Sequence, residues 1–165
     1  MKPEKIFITS NRLPVTVVRT VEGFKVKPSN GGLATALQSV FGQQNSYWIG
    51  WPGIILNDKT EEQQVTELLT PLGFIPVFLS QAEFDGYYSG FSNAILWPLF
   101  HYHPGHRLFT PEYWDSYVQV NQKFAKVINE QVPKNDFVWI HDYQLMLLPS
   151  FLNHPHLSYF HHIPF

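Results

Sequence analysis

The sequence of 165 residues contains no cysteine, which rules out disulfides, thiolate metal sites and a cysteine nucleophile. Charge is also scarce. Eleven Lys and Arg stand against thirteen Asp and Glu, 15% of the chain with a formal net charge of −2. Nucleic acid and anionic membrane surfaces both need a concentrated basic patch, so neither partner is expected. No apolar run approaches the roughly 20 residues that span a bilayer. Met1-Lys2-Pro3-Glu4-Lys5 leads straight toward a strand, without the apolar stretch of a signal peptide. A soluble cytoplasmic protein is the expectation. A serine hydrolase fits poorly, because no serine sits in a Gly-x-Ser-x-Gly elbow. Internal repeats and low-complexity linkers are missing as well.

Aromatic residues, by contrast, are abundant at 16%. One domain of this length can bury a real core. The surplus therefore implies aromatics lining a ligand cleft, or a surface that faces further protein. Phe160-His161-His162-Ile163-Pro164-Phe165 reads as a strand leading into a loop, an ending expected to be a cut.

Along the chain, Lys5-Ile6-Phe7-Ile8-Thr9 is a short apolar run that exits at polar Ser10-Asn11-Arg12, as a buried parallel strand does. Residues 15–20 and 24–27, joined through Glu22-Gly23, predict a hairpin. A helix is predicted over 33–41, strands over 47–50 and 74–79, and a polar-faced helix over 60–69. The stretch 81–93 reads as aromatic and short-helical. Thr110-Pro111-Glu112 predicts a helix start, with a threonine cap and proline in the first turn. That helix runs to about residue 131 with Trp114, Tyr117, Val118, Ala125 and Ile128 inward. Strands over 137–140 and 157–160 flank a helix over 144–152. The alternation predicts a parallel, doubly wound, Rossmann-like α/β sheet, with ligands beyond the carboxyl ends of its strands.

Several groups at those ends can do chemistry. Arg12 is placed to pair with a phosphate or carboxylate, the alternative being a surface arginine satisfied by a nearby acid. Gly31-Gly32 before a helix lets backbone approach a phosphate, though a bare Gly-Gly also makes an ordinary turn. Trp48 alternates into the core, whereas Trp51 lies past its strand in a Gly-Trp-Pro-Gly turn. Trp51, Tyr87, Tyr88 and Trp97 offer flat faces suited to sugar rings. His101, His103 and His106 invite a metal reading, but no carboxylate or cysteine lies close by, and a solvent-facing loop is the simpler account. His141-Asp142 and His161-His162 each close a predicted strand, so both pairs can reach one crevice. Asp142 can accept hydrogen bonds from sugar hydroxyls or act as a base, and a histidine there can bond a leaving-group oxygen or a reacting hydroxyl.

Taken in order, Ser10-Asn11-Arg12, Gly31-Gly32-Leu33-Ala34, Trp48-Ile49-Gly50-Trp51, Tyr87-Tyr88, Phe91-Ser92-Asn93-Ala94-Ile95-Leu96-Trp97-Pro98, Trp139-Ile140-His141-Asp142-Tyr143 and His162-Ile163-Pro164-Phe165 resemble the trehalose-6-phosphate synthase family of retaining glucosyltransferases. The resemblance covers essentially the whole chain. It implies the GT-B architecture, with residues 1–165 forming part of the N-terminal, acceptor-side domain and the C-terminal donor-binding domain absent. It implies transfer of glucose from UDP-glucose to glucose 6-phosphate without a metal or other cofactor, by a front-face route in which the leaving phosphate helps deprotonate the attacking hydroxyl. Arg12 would bind the acceptor phosphate with Tyr88 beside it. Trp51 and Trp97 would line the acceptor pocket, and Asp142 would hold glucose hydroxyls. Gly31 and Gly32 would lie against the donor diphosphate, and His162 next to the transferred glucose, making Asp142 and His162 the catalytic candidates. Gln144 stands where the family commonly has a second histidine, a change set outside those contacts. The partners implied are a sugar phosphate and a nucleotide sugar, with room for a homo-oligomer. The alternatives are a glucosylglycerol-phosphate synthase and a non-catalytic sugar-phosphate sensor. Alone, the chain is expected to be inactive and prone to self-association.

Overall fold

The central strand, β1 (Ile6–Arg12), is buried at four consecutive positions. A strand between two parallel neighbours, covered on both faces, has no solvent side, so its apolar run is continuous rather than alternating. A computed structural model of the chain describes residues 5–29, 37, 41, 45–103 and 110–162. Within it, β1 pairs in parallel with β4 (Ser46–Trp51) on one side and β6 (Phe137–His141) on the other. β5 (Phe74–Pro76) extends the sheet beyond β4, and β7 (Leu157–Phe160) beyond β6. The order is β5-β4-β1-β6-β7. The chain thus builds outward from β1 in one direction, then returns to build in the other. That reversal opens a crevice between the carboxyl ends of β1 and β6, where doubly wound sheets bind ligands.

The two-residue period of the strands divides the core. Phe7, Ile49, Val138 and Ile140 point to one face, where α3 (Pro111–Gln131) packs. Ile8, Trp48 and Phe74 point to the other, against Val65 and Leu69 of α1 (Lys59–Leu69). α1 is capped by Asp58, whose carboxylate accepts from the Glu61 N–H at 2.9 Å. A hairpin, β2 (Val15–Thr20) with β3 (Gly23–Pro28), is clipped to α1 by a two-pronged Arg19–Glu61 pair.

Four differences from the sequence reading have physical causes. The expected strand over 74–79 pairs as Phe74–Pro76, at an edge where proline is tolerated; the Val77 N–H still donates to the Gly50 carbonyl at 2.9 Å, and Leu79 is buried beyond the pairing. The stretch from 81 is one long helix, α2, built from Gln81–Glu83, a π-wound Phe84–Leu96 and Trp97–Phe100. Its wide turns show where the Trp97 N–H reaches back to the Ser92 carbonyl. Gly86 is what lets α2 close on α3, since a Cβ there would sit 2.2 Å from Ser116 Oγ. On α3 the buried stripe is Tyr117, Val120, Asn121, Phe124, Ala125 and Ile128. Val118 lies about 100° off that stripe, and Trp114 stays exposed although its ring meets those of Phe91 and Tyr117. Thr110 makes no side-chain cap bond, although Pro111 does open the helix. Finally, the helix expected over 144–152 is split into a tight turn, Tyr143–Leu145, and α4 (Leu148–Phe151). The helix predicted over 33–41 lies outside the described residues except for Leu37 and Phe41. No helix among the described residues is long and apolar enough to cross a membrane.

Candidate functional site

Thr9 of β1 lies in register with Ile140 of β6, so Ser10-Asn11-Arg12 and His141-Asp142 emerge side by side. Together with Ser29, Trp48 and Gln144 they line a cavity of about 170 Å³. Each wall is set by a distinct device.

On the β1 side the device is a bulge between Thr9 and Arg12. Buried Ser10 holds it, its hydroxyl donating to the Arg12 carbonyl at 2.8 Å and accepting from Trp48 Nε1 at 2.7 Å. Gly50 makes room, because a Cβ there would meet Leu13 N and the Ser10 carbonyl at 2.9 Å. The redirected chain lays the Arg12 guanidinium over Trp51, 5.7 Å from the ring. Arg12 Nη2 donates to Thr16 Oγ1 at 2.8 Å. Among the described residues no carboxylate pairs with Arg12.

On the β6 side the device is backbone conformation. Asp142 has φ 76° and ψ 167°, a region that only glycine enters freely. Its N–H donates to the Phe160 carbonyl at 2.8 Å, extending the β6–β7 ladder, and its carboxylate accepts from the Tyr143 N–H at 3.0 Å. Tyr143 anchors this exit. Its hydroxyl donates to Asn93 Oδ1 at 2.9 Å on α2, and its carbonyl accepts from the Tyr117 hydroxyl at 2.6 Å on α3. Burial raises the Tyr143 phenol, keeping it protonated as that donor.

His141 is fully buried and contacts His162, Nδ1 to Nε2, at 2.8 Å. Burial first, and His162 second, lowers its pKa from 6.5 to about 4. Thr9 Oγ1, Asn11 Oδ1 and His141 Nε2 are buried without a hydrogen-bond partner, all at these two strand exits. Unmet polar groups are uncommon in folded proteins; among the described residues these three lie at the strand exits, while Tyr87 Oη, Ser92 Oγ and Asn121 Oδ1 lie on α2 and α3.

The crevice therefore unites Arg12 and Asp142 on its walls and brings His162 to it through His141. Trp51, Tyr88 and Trp97 are not among the lining residues of that cavity. Trp51 belongs to the end of β4 rather than to a turn beyond it. It is 8% exposed, its indole enclosed by Phe84 at 4.9 Å and bonded to the Ile54 carbonyl. Phe84 in turn meets Tyr88 at 5.2 Å. Trp97 is 45% exposed, with its ring 5.9 Å from that of Tyr143. Gly31 and Gly32 lie outside the described residues, as does His106. His101 closes α2 rather than standing on a strand, with Nδ1 2.7 Å from the Trp97 carbonyl. The sequence reading undervalued Gln144: it is buried and lines the same cavity, a place that only its position two residues past Asp142 could have indicated.

The chain is similar to known proteins. The family model of glycosyltransferase family 20 matches residues 4–165. The chain is 45% identical over 148 residues to an α,α-trehalose-phosphate synthase (UDP-forming) of Yarrowia lipolytica, covering 89% of the chain and 32% of that protein. It is 41% identical over 170 residues to the corresponding synthase of Candida albicans, covering 98% of the chain and 36% of that protein. Among solved structures, it superposes on a trehalose-6-phosphate protein of E. coli bound with UDP-2-fluoro glucose with a TM-score of 0.74 at 28% identity, over 98% of the chain and 34% of that one. The α,α-trehalose-phosphate synthase of Burkholderia xenovorans in complex with glucose-6-phosphate gives 0.74 at 26% identity, again over 98% and 34%. The chain thus spans about a third of the length of the curated relatives it matches. With the family match running through both walls of the crevice, this Rossmann-like chain belongs to glycosyltransferase family 20.

Proposed function

We propose that the chain is the acceptor-side part of a UDP-forming α,α-trehalose-phosphate synthase, which transfers glucose from UDP-glucose to glucose 6-phosphate with retention at the donor carbon. The observation that carries this reading is the pairing of Arg12, which has no carboxylate partner among the described residues, with Asp142 across one cavity at the strand switch. A guanidinium backed by Trp51 suits a phosphate dianion, which it grips through several N–H donors at once. Asp142 keeps a carboxylate at the opposite wall to accept from the hydroxyls of the same sugar. Tyr88 would stand beside the phosphate, and the exposed face of Trp97 would pack on the ring. His162 would donate to the transferred glucose, and Gly31-Gly32 would approach the donor diphosphate. The proton of the attacking hydroxyl leaves with the departing UDP phosphate, so these residues orient and hydrogen-bond rather than act as a dedicated base. A second domain would supply the remaining donor contacts, and neither a metal nor another cofactor is required. The substrates follow from relatives that are UDP-forming synthases or are bound with glucose-6-phosphate or UDP-2-fluoro glucose. We place the protein in the cytoplasm, acting on small molecules.

The test is acceptor-dependent UDP release by the full-length gene product, with the linkage of the product read by NMR. Release with UDP-glucose and glucose 6-phosphate, giving an α,α-1,1 linkage, is expected. Turnover only with ADP-glucose and glycerol 3-phosphate would instead identify a glucosylglycerol-phosphate synthase. Binding of glucose 6-phosphate with no transfer would identify a sensor. The chain alone is expected to show no turnover, and micromolar binding of UDP-glucose to it would contradict the division of labour.

A further inference from the structure

His141 ends β6 and carries none of the roles assigned above, yet it is fully buried at the crevice. Its imidazole lies against Trp139, ring centroids 4.5 Å apart, and stacks on His162 at 5.1 Å with 26° between planes. Two ring nitrogens 2.8 Å apart need one proton between them. Which ring supplies it follows from the far side of His141. There Nε2 is buried without a partner. A buried N–H lacking an acceptor is rarer than an acceptor lacking a donor. The proton of neutral His141 therefore sits on Nδ1, where His162 Nε2 can accept it. With Nε2 so engaged, neutral His162 must carry its own proton on Nδ1, the less common tautomer of a free histidine. His162 is exposed, so a ligand can reach its side chain.

We propose that His141 is a positioning residue whose buried imidazole fixes the tautomer and orientation of His162, which thereby presents an Nδ1–H donor to a hydroxyl or phosphate oxygen in the crevice. The oxygen-bearing ligand rests on the function proposed above; the tautomer does not. Burial also keeps His141 neutral at pH 7, with its pKa near 4, so the donor persists under working conditions. The other groups facing the pair are Trp139 and Phe160, neither titratable, and Asp142, whose carboxylate is turned to the Tyr143 N–H.

The test is long-range proton–nitrogen NMR of the full-length protein carrying ¹⁵N-histidine, at pH 7.5 and without substrate. His162 should appear as the Nδ1–H tautomer. His141→Asn, whose side-chain amide can place an N–H near the original Nδ1, should keep that signature and hold kcat within about threefold. His141→Phe should return His162 to the Nε2–H form and lower kcat about tenfold, the share of one hydrogen bond. An Nε2–H tautomer in the unaltered protein, or a His162 signal unchanged by His141→Phe, would overturn the proposal. If the phenylalanine variant fails to fold, the unaltered protein and the asparagine variant still decide it. Because the readout needs no substrate, a failure of glucosyl transfer would leave it standing, and the reverse.

Discussion

The two ends of strands β1 and β6 are built on opposite plans. At the amino ends, hydrogen bonds are met within the protein. The Lys5 N–H donates to Asp136 Oδ1 at 3.0 Å, the Phe137 N–H to the Lys5 carbonyl at 3.0 Å, and the Ile6 N–H to the Asn45 carbonyl at 3.1 Å. Even His154, beside them, uses both ring nitrogens, Nε2 with the Pro133 carbonyl and Nδ1 with the His156 N–H. At the carboxyl ends, Thr9, Asn11 and His141 each bury an unpartnered atom, and Asp142 occupies backbone territory suited to glycine. One end holds the sheet together. The other leaves polar atoms unpartnered and one backbone position strained.

The largest effect that could break this contrast is expected from Asp142→Gly. Loss of its hydroxyl contacts should lower kcat/KM of the full-length enzyme about a thousandfold, on the order of 4 kcal/mol. Stability should not fall with it. Relief of about 1–3 kcal/mol of backbone strain offsets the roughly 0.5–1 kcal/mol entropic penalty of glycine and the lost bond to the Tyr143 N–H. A urea midpoint that drops along with activity would make Asp142 a structural residue. Next comes Arg12→Ala, expected to raise KM for the phosphorylated acceptor about a hundredfold while leaving the unfolding free energy within about 0.5 kcal/mol, because the side chain is exposed. An unchanged KM would remove the phosphate from this wall.

Asp136→Ala is the mirror experiment at the amino end. It strands the Lys5 N–H and should cost about 1–2 kcal/mol of stability with kcat/KM within about twofold. A loss of activity exceeding the loss of stability would erase the distinction between the ends. Last comes a pH dependence of stability. His141 is lowered from 6.5 to about 4 in the folded protein, so between those values the unfolded chain binds the extra proton. Its contribution to stability is complete above about pH 6.5 and is lost as pH falls toward 4. His141→Phe should flatten that part of a stability–pH curve, and an identical slope in the variant would deny the burial effect.

How much of this was legible in the sequence depended on whether the signal was local. β7 was read at its observed bounds, and β1 and β6 from their apolar runs and polar exits. Glu22-Gly23 announced the hairpin. Arg12, Asp142 and His162 could be nominated because polar residues at strand exits stand out. What a chain of letters hides is geometry set by neighbours. The π-winding of α2 breaks the 3.6-residue period on which helix reading relies, so the stretch looked short and irregular. Trp114 fits the inner stripe of α3 by spacing, but spacing does not say how far that stripe stays covered. The left-handed turn at Asp142 has no signature in a residue other than glycine. The enclosure of Trp51 required Phe84, distant in sequence, and the His141–His162 contact required the β6–β7 register.

The most direct measurement is a crystal structure of the full-length protein with glucose 6-phosphate. The account predicts the phosphate within hydrogen-bonding distance of the Arg12 guanidinium and sugar hydroxyls on the Asp142 carboxylate, inside the crevice between β1 and β6. Glucose 6-phosphate bound elsewhere, with Arg12 and Asp142 untouched, would contradict it.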